Sequence, residues 1–402
     1  MISSNDTVNF TFRGRFLNTA QALAIGYRTT QEAHNALRWL ISKQGTQCGN
    51  ETILVWGTQN EPVPDLGADS YDLSQVQFEN SDDDLGLDAI APTQTASTFE
   101  GIAKQFSRAV HGYQAKLTDT SKLSVIVLDS ATSGRLSVRY YQELSGSQLL
   151  DNVLDWHKTF AWLLEKTAPG KKPKSHPVSF WGAPSPIDIA RAAYGEKADQ
   201  RLIQQTFERL VPCIVERKPL PYDLVLSTMR RAAAAVALEP WESRKTRSIA
   251  CALIRGYHKR SKGELYTMEI DTKKRDRSYI FGQILACAEQ VERYAQNLSS
   301  DDKRTTNAER MQVSFVQRPA KTTCLLQSKL VPYLNRIRAK NGSSRRYQQM
   351  LDLIAELGQE NFTDAPLNEL YLLGYATQLL AFRKENEAQR QENESNSNTE
   401  EL

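Results

Sequence analysis

Residues 122–144 read KLSVIVLDSATSGRLSVRYYQEL. Lys122–Asp129 is a nearly continuous apolar run, the composition of an inner strand. A Ser/Gly turn follows. Beyond it the residues alternate: Arg135, Ser137, Arg139 and Tyr141 share one face of an extended chain, and Leu136, Val138 and Tyr140 share the other. The two runs predict a β-hairpin. Its second strand turns two arginines and a tyrosine outward, toward water or toward a phosphate-bearing polymer.

Upstream, TTQEAHNALRWLISKQG predicts a helix capped by Thr29, with Glu32 completing a capping box and Gly45 ending it. ETILVWG reads as a buried strand, and TASTFEGIAKQFSRAVHGYQAKL as a helix with Ile102, Phe106, Ala109 and Val110 on one side. Between them, residues 58–95 are polar, acidic and broken by Pro and Gly, the pattern of a long loop. Downstream, SQLLDNVLDWHKTFAWLLEK predicts a helix with Leu150, Val153, Leu154, His157, Phe160, Ala161 and Leu164 in one stripe. His157 reads as a satisfied core histidine, since no acid or nucleophile is spaced with it. A Pro-rich connector with linking helices covers 168–220. Helices are predicted at 186–194, 199–216, 221–238, 242–260, 275–298, 304–317, 320–339, 343–357 and 367–388. Pro240 stops the Ala-rich run STMRRAAAAVAL, and Pro332 is expected to kink or break its helix. The acidic tail 389–402 reads as disordered. The fold class is therefore α+β: a partial mixed α/β amino-terminal domain at 1–167, then a carboxy-terminal all-helical bundle at 221–388.

The chain has 402 residues, room for two or three domains. No apolar run approaches the ~20 residues of a membrane span, and MISSNDTVNF lacks the layout of a signal peptide. Five scattered cysteines without a C-x-x-C pair fit a reducing cytoplasmic setting and give no support to a zinc or disulfide framework. The net charge of +3 hides segregation. Residues 1–100 hold 5 Lys/Arg against 13 Asp/Glu, and residues 227–384 hold 27 against 16. A basic second half points to a polyanion there.

The signatures G-x-x-x-x-G-K-[ST], G-x-G-x-x-G, H-E-x-x-H and G-x-S-x-G are missing. Asp129 and its neighbouring serines read as turn residues. Asp82, Asp83 and Asp84 read as a solvated charge run rather than metal ligands. No catalytic residue, metal site or cofactor is expected. What recurs is clustered cations on helices: Arg230 and Arg231; Arg244, Lys245 and Arg247; Arg255, Lys259 and Arg260; Lys273, Lys274, Arg275 and Arg277; Arg336, Arg338, Lys340, Arg345 and Arg346. With Arg135 and Arg139 these are the candidate phosphate-binding residues. Tyr141, Tyr257, Tyr279 and Tyr347 are candidates to stack on bases, or else packed rings. Two rival readings stay open: a metal-dependent nuclease, and a scaffold whose cations face only protein and RNA.

Several distinctive stretches occur in order: AHNALRWLI followed by a strand ending in Trp-Gly, LDSATSGRLSVRYYQEL, FWGAPSPIDIARAAYG, RLVPCIVERKPLPYDLV, KRDRSYIFGQILACAEQVE and LNELYLLGYATQLLAFRKE. Together they resemble the large subunit of the type I-C CRISPR interference complex (type I-C Cascade), from about residue 3 to about 388. The resemblance implies a non-catalytic antiviral role. Such a subunit sits near the 5′ end of the guide RNA, helps to recognise the protospacer-adjacent motif in double-stranded target DNA, and steadies the strands of the R-loop. Its partners would be guide RNA, target DNA, the backbone and small subunits and a separate helicase–nuclease, with no membrane. The bundle resembles the small subunit, and Met268, just ahead of it, is a candidate internal translation start. The family usually has further sequence before the stretch matched by ISSNDTVNFTFRGRF, so the resemblance implies that this chain lacks that amino-terminal part.

Overall fold

The computed structural model describes residues 26–57, 61–76, 97–132, 135–166, 177–271, 273, 276–298, 304–340 and 342–400. Two compact units interleave along the chain. One gathers 1–158, 185–190 and 198–218; the other gathers 159–184, 191–197 and 219–402.

The first unit is built on a four-stranded antiparallel sheet in the order β1 (Thr46–Cys48), β2 (Glu51–Gly57), β3 (Lys122–Thr132), β4 (Arg135–Ser145). Helix α1 spans Tyr27–Gln44. It starts two residues before the expected cap: Gly26 is its N-cap, no side chain caps it, and Arg28 pairs instead with Glu32 at 2.8 Å. Ile53 faces Val127 and Val55 faces Val125, all four buried, which explains the apolar runs of both strands. The stretch 58–95 is not wholly a loop, because Ser70–Ser74 form a short helix, α2, capped by Asp69. Asp82, Asp83 and Asp84 lie outside the described residues. Helix α3 (Ser97–Lys116) carries Ile102 and Ala109 into the core.

The hairpin β3–β4 forms as expected, but its faces do not. Val127 pairs with Tyr140 and Leu128 with Val138, so Arg139 is an extra residue opposite nothing, a β-bulge. The bulge interrupts the period of two, and β4 is an edge strand. Leu136 and Val138, expected on the inner face, are 37% and 58% exposed. Tyr140 keeps a half-buried place and donates to Glu216 at 2.8 Å.

Helix α4 (Gly146–Thr159) follows. His157 is a core histidine as read: its Nδ1 lies 2.7 Å from Ser70 Oγ, and burial pushes it down to about 4. The predicted continuation of this helix to residue 166 is overturned. In the second unit Trp162–Lys166 (β5) pairs antiparallel with Val178–Gly182 (β6). Trp162 and Leu164 are buried around a half-exposed Leu163, an alternation the longer helical stripe masked.

Next along the chain come α5 (Pro186–Tyr194) and α6 (Gln200–Val215), the latter in the first unit. The rest of the second unit is helical: α7 (Tyr222–Ala233), α8 (Pro240–Tyr257), α9 (Arg277–Asn297), α10 (Asn307–Gln317), α11 (Pro319–Ala339), α12 (Arg345–Asn361) and α13 (Leu370–Glu400). Helix α9 is the hub, buried along nearly all its length. It crosses α13 where Gly282 faces the Tyr371 carbonyl and Gly374 faces the Tyr279 carbonyl. Three expectations change here. Helix α7 ends at Ala233 and passes into a 3-10 turn, Ala235–Ala237. Pro332 does not break α11, which runs through it. The acidic tail read as disordered continues α13 as helix to Glu400. No helix among the described residues is long and apolar enough to cross a membrane.

Candidate nucleic-acid interface

Most of the predicted cations turn out to be spent within the fold. Arg255 is the clearest case. It donates to the carbonyls of Thr159 (3.1 Å), Ala161 (2.8 Å) and Tyr266 (2.9 Å), binding the entry to β5. Lys259 donates to Thr159 Oγ1 at 2.9 Å, and Arg260 lies 5.1 Å from the Phe160 ring centre. Arg231 pairs with Glu242, and Lys245 with Glu196 at 3.3 Å. Arg247 lies over the Tyr375 ring, whose hydroxyl donates to buried Glu289. Arg346 is pinned between Glu385 (2.6 Å) and the Phe382 ring (3.9 Å). Arg277 donates to the carbonyls of Asn361, Thr363 and Ala365. Among the tyrosines, Tyr279 is buried and bonded to Thr377, so it cannot stack on a base. Tyr257 stacks on Tyr222 at 4.9 Å. Tyr141 is half exposed and donates to Glu143. Lys274, Arg275 and the Arg135 side chain lie outside the described residues.

Arg230, Lys273, Arg336, Arg338, Lys340 and Arg345 remain exposed, although Lys340 also donates to the Leu298 carbonyl. The last four belong to a larger feature that short clusters do not reveal. From Arg310 to Leu351 the chain carries nine Lys/Arg and no Asp/Glu, and eight of the nine are exposed. Helix α11 is the spine of this stretch. It buries Thr322, Thr323, Leu326, Leu330, Leu334 and Ile337 on one side. At ~100° per residue, Lys321, Lys329 and Arg336 fall within about 80° of one another on the opposite side, over about 22 Å of axis. Its start is braced by Asp364, which accepts the Lys321 backbone N–H at 2.9 Å. Arg336 and Arg338 in the last turn also offset the C-terminal dipole. Lys321 and Lys329, upstream of that turn, have no such use. The signal that marks them in the sequence is the lack of acids over a long window.

A second polar centre surrounds Arg139. It donates to Asp129 Oδ2 through Nη2 (2.8 Å) and Nε (3.2 Å). Asp129 is therefore a buried ion-pair partner rather than a free turn residue. Glu51 sits directly across the sheet from Asp129. It is 5% exposed, and its Oε2 has no hydrogen-bond partner among the described residues. Burial, then Glu208 and Asp129, push Glu51 up to about 7 against the pull of Arg139. Between about pH 4.5 and 7 folded Glu51 thus keeps a proton that the unfolded chain releases. The stabilisation is full below that window and is lost as pH rises through it. Glu51→Gln, neutral at every pH, is expected to raise the melting temperature at pH 8 and to flatten its fall from pH 5 to 8. Parallel wild-type and variant curves would refute this.

A third cluster, unforeseen in the sequence, holds a π-helical turn, His258–Lys262, against the start of α13. His258 is buried, with Nδ1 2.9 Å from Glu264 and Nε2 2.9 Å from Glu369. Burial pushes Glu369 up, but the bonds from His258, its own backbone and Tyr222 outweigh that and bring it to about 2. Through His258 the cluster ties the π-helical turn to Glu369, the residue before α13. No group of acids, cysteines or histidines among the described residues is arranged to hold a metal ion.

Residues 1–383 match the family model described as CRISPR-associated protein (Cas_Csd1). No curated protein matches the chain.

Proposed function

Because the chain belongs to the Cas_Csd1 family of CRISPR-associated proteins, we propose that it is the non-catalytic large subunit of a type I-C RNA-guided DNA-surveillance complex. In that role it contacts the guide-RNA end and the target DNA and supports the unwound strands. Guide pairing supplies the sequence information, and the protein supplies backbone contact and a share of motif reading. The observation that carries this reading is the row of exposed cations on α11, in a stretch that has no acid of its own from Arg310 to Leu351. Phosphate neutralisation needs cations that reach solvent with no acids interleaved among them, and α11 offers them in a row.

At the hairpin a protein neighbour is the better reading. The edge strand β4 shows Leu136, Val138 and Tyr141 to solvent, and its Arg139 is already paired. An exposed apolar edge suits strand-to-protein contact.

Co-expression with the remaining subunits and a guide tests the assignment. The chain should co-purify with the complex, and the complex should bind a matched duplex. A complex that assembles and binds equally well without the chain would contradict it. Met268 lies half-buried in the bend before α9, and translation starting there would release α9–α13 as a separate product. Changing the Met268 codon should abolish a short carboxy-terminal band on a blot, and an unchanged band would rule the start out.

A further inference from the structure

A groove of ≈ 520 Å³ opens in the second unit between β5, α8, α9 and α13. We propose that it binds a nucleotide, with the phosphate on Arg244 and Arg383 and the base against Leu379 and Leu380.

The volume falls within the ~300–1,000 Å³ of small-molecule sites. Three guanidinium groups converge on it: Arg244, Arg247 and Arg383. Arg247 is held in place by Tyr375, 5.5 Å from the ring centre and 3.4 Å from the hydroxyl, and contributes fixed positive charge. The other two are held loosely. Arg244 reaches Glu165 only at 3.6 Å, and Arg383 reaches Glu387 only at 3.6 Å, both beyond a hydrogen bond. Their side chains are 50% and 59% exposed, so the forks can turn toward an incoming anion.

The groove also holds carboxylates, and these must give way for an anion to enter. Glu289 is engaged by the Tyr375 hydroxyl, and burial with Glu309 nearby pushes its pKa up. Glu165 and Glu387 sit in exposed, solvent-screened pairs that contribute little to stability. A phosphate received by an arginine fork makes shorter, paired, charge-assisted bonds. Exchanging the loose pairs for a phosphate is therefore favourable.

The rest of the lining separates a nucleotide from a bare phosphate. Leu379 and Leu380 form a half-buried apolar wall on α13, against which the face of a base can pack. Gln290 and Asn386 bring amide groups, each both donor and acceptor, to the same groove, suited to a base edge. A free mononucleotide and a single base turned out of a strand share this chemistry. The inference stands on the groove alone and does not depend on the role given to α11.

Calorimetric titration of the full chain with each of the four common ribonucleoside monophosphates, a pentanucleotide and inorganic phosphate tests it. At least one nucleoside monophosphate, or the pentanucleotide, should saturate with a submillimolar Kd. Phosphate should bind at least tenfold more weakly. The double variant R244A/R383A should lose at least tenfold in nucleotide affinity at an unchanged melting temperature. Should that variant melt lower, R244K/R383K keeps the charge, loses the forks and should show the same tenfold loss. The α11 variant K329E/R336E should bind mononucleotide like wild type, which keeps failure of the α11 reading distinct from failure here. Binding of the pentanucleotide but of no monophosphate, lost in R244A/R383A, assigns the groove to a residue within a strand. No saturable nucleotide binding at millimolar concentration would overturn the proposal. So would phosphate binding as tight as nucleotide, or arginine variants that bind like wild type.

Discussion

Alanine at Gly282 or Gly374 is expected to lower the melting temperature of the full chain by about 6–12 °C, and the double variant by more. Gly→Ala inside a helix ordinarily gains about 1 kcal/mol. Here a Cβ on Gly282 would stand 1.9 Å from the Tyr371 carbonyl oxygen and 2.7 Å from the Tyr375 nitrogen. A Cβ on Gly374 would stand 2.0 Å from the Tyr279 carbonyl oxygen. These obstacles are backbone atoms and cannot rotate aside, so α9 and α13 must separate. Separation loosens the packing along the hub of the unit and stretches the 2.9 Å Tyr279–Thr377 bond. Overpacking of this kind costs about 3 kcal/mol or more, and each kcal/mol is worth about 2–4 °C in a unit the size of the second one. A melting temperature equal to wild type, or higher, would show that the crossing is not as close as described.

Charge reversal on α11 is the second large effect. The variant K321E/K329E/R336E/R338E removes four exposed cations from a helix without acids and adds four anions. All four side chains point away from the apolar side, so the fold should survive, and a melting curve checks that. Affinity for DNA near 150 mM salt is expected to fall by about 10²-fold or more, since every phosphate that goes without its cation keeps its counterions bound. The fall should be equal for unrelated sequences, because phosphate contacts position a strand without reading it. A loss confined to one sequence would mean that these residues touch bases instead.

Much of the fold was legible because its signals are local. The hairpin, the end of α1 at Gly45 and the helices after residue 186 follow from apolar period and from Gly and Pro punctuation. The failures were non-local or competing. The bulge at Arg139 is set by pairing with Val127 and Leu128, which a single strand's alternation cannot report. Trp162–Lys166 carries apolar residues that satisfy both a helical stripe and a strand, and its partner Val178–Gly182 decided between them. The site was less legible than the fold. Arg255, Arg247 and Arg346 looked like phosphate ligands because a count of cations does not show which carbonyls, rings or carboxylates they meet. Lys321 and Lys329 stand apart from any short cation cluster, and only the lack of acids from 310 to 351 marks them in the sequence. His258 and Glu369 lie far apart in the chain and meet only in the folded unit.

The slope of log Kobs against log salt concentration, for single-stranded DNA and the full chain, tests the central claim most directly. Wild type should give a steep negative slope, and K329E/R336E should make it shallower by about 1.4, two single-strand phosphates at about 0.7 each. Identical slopes for the two proteins would mean that the cations of α11 face water and that this surface holds no strand.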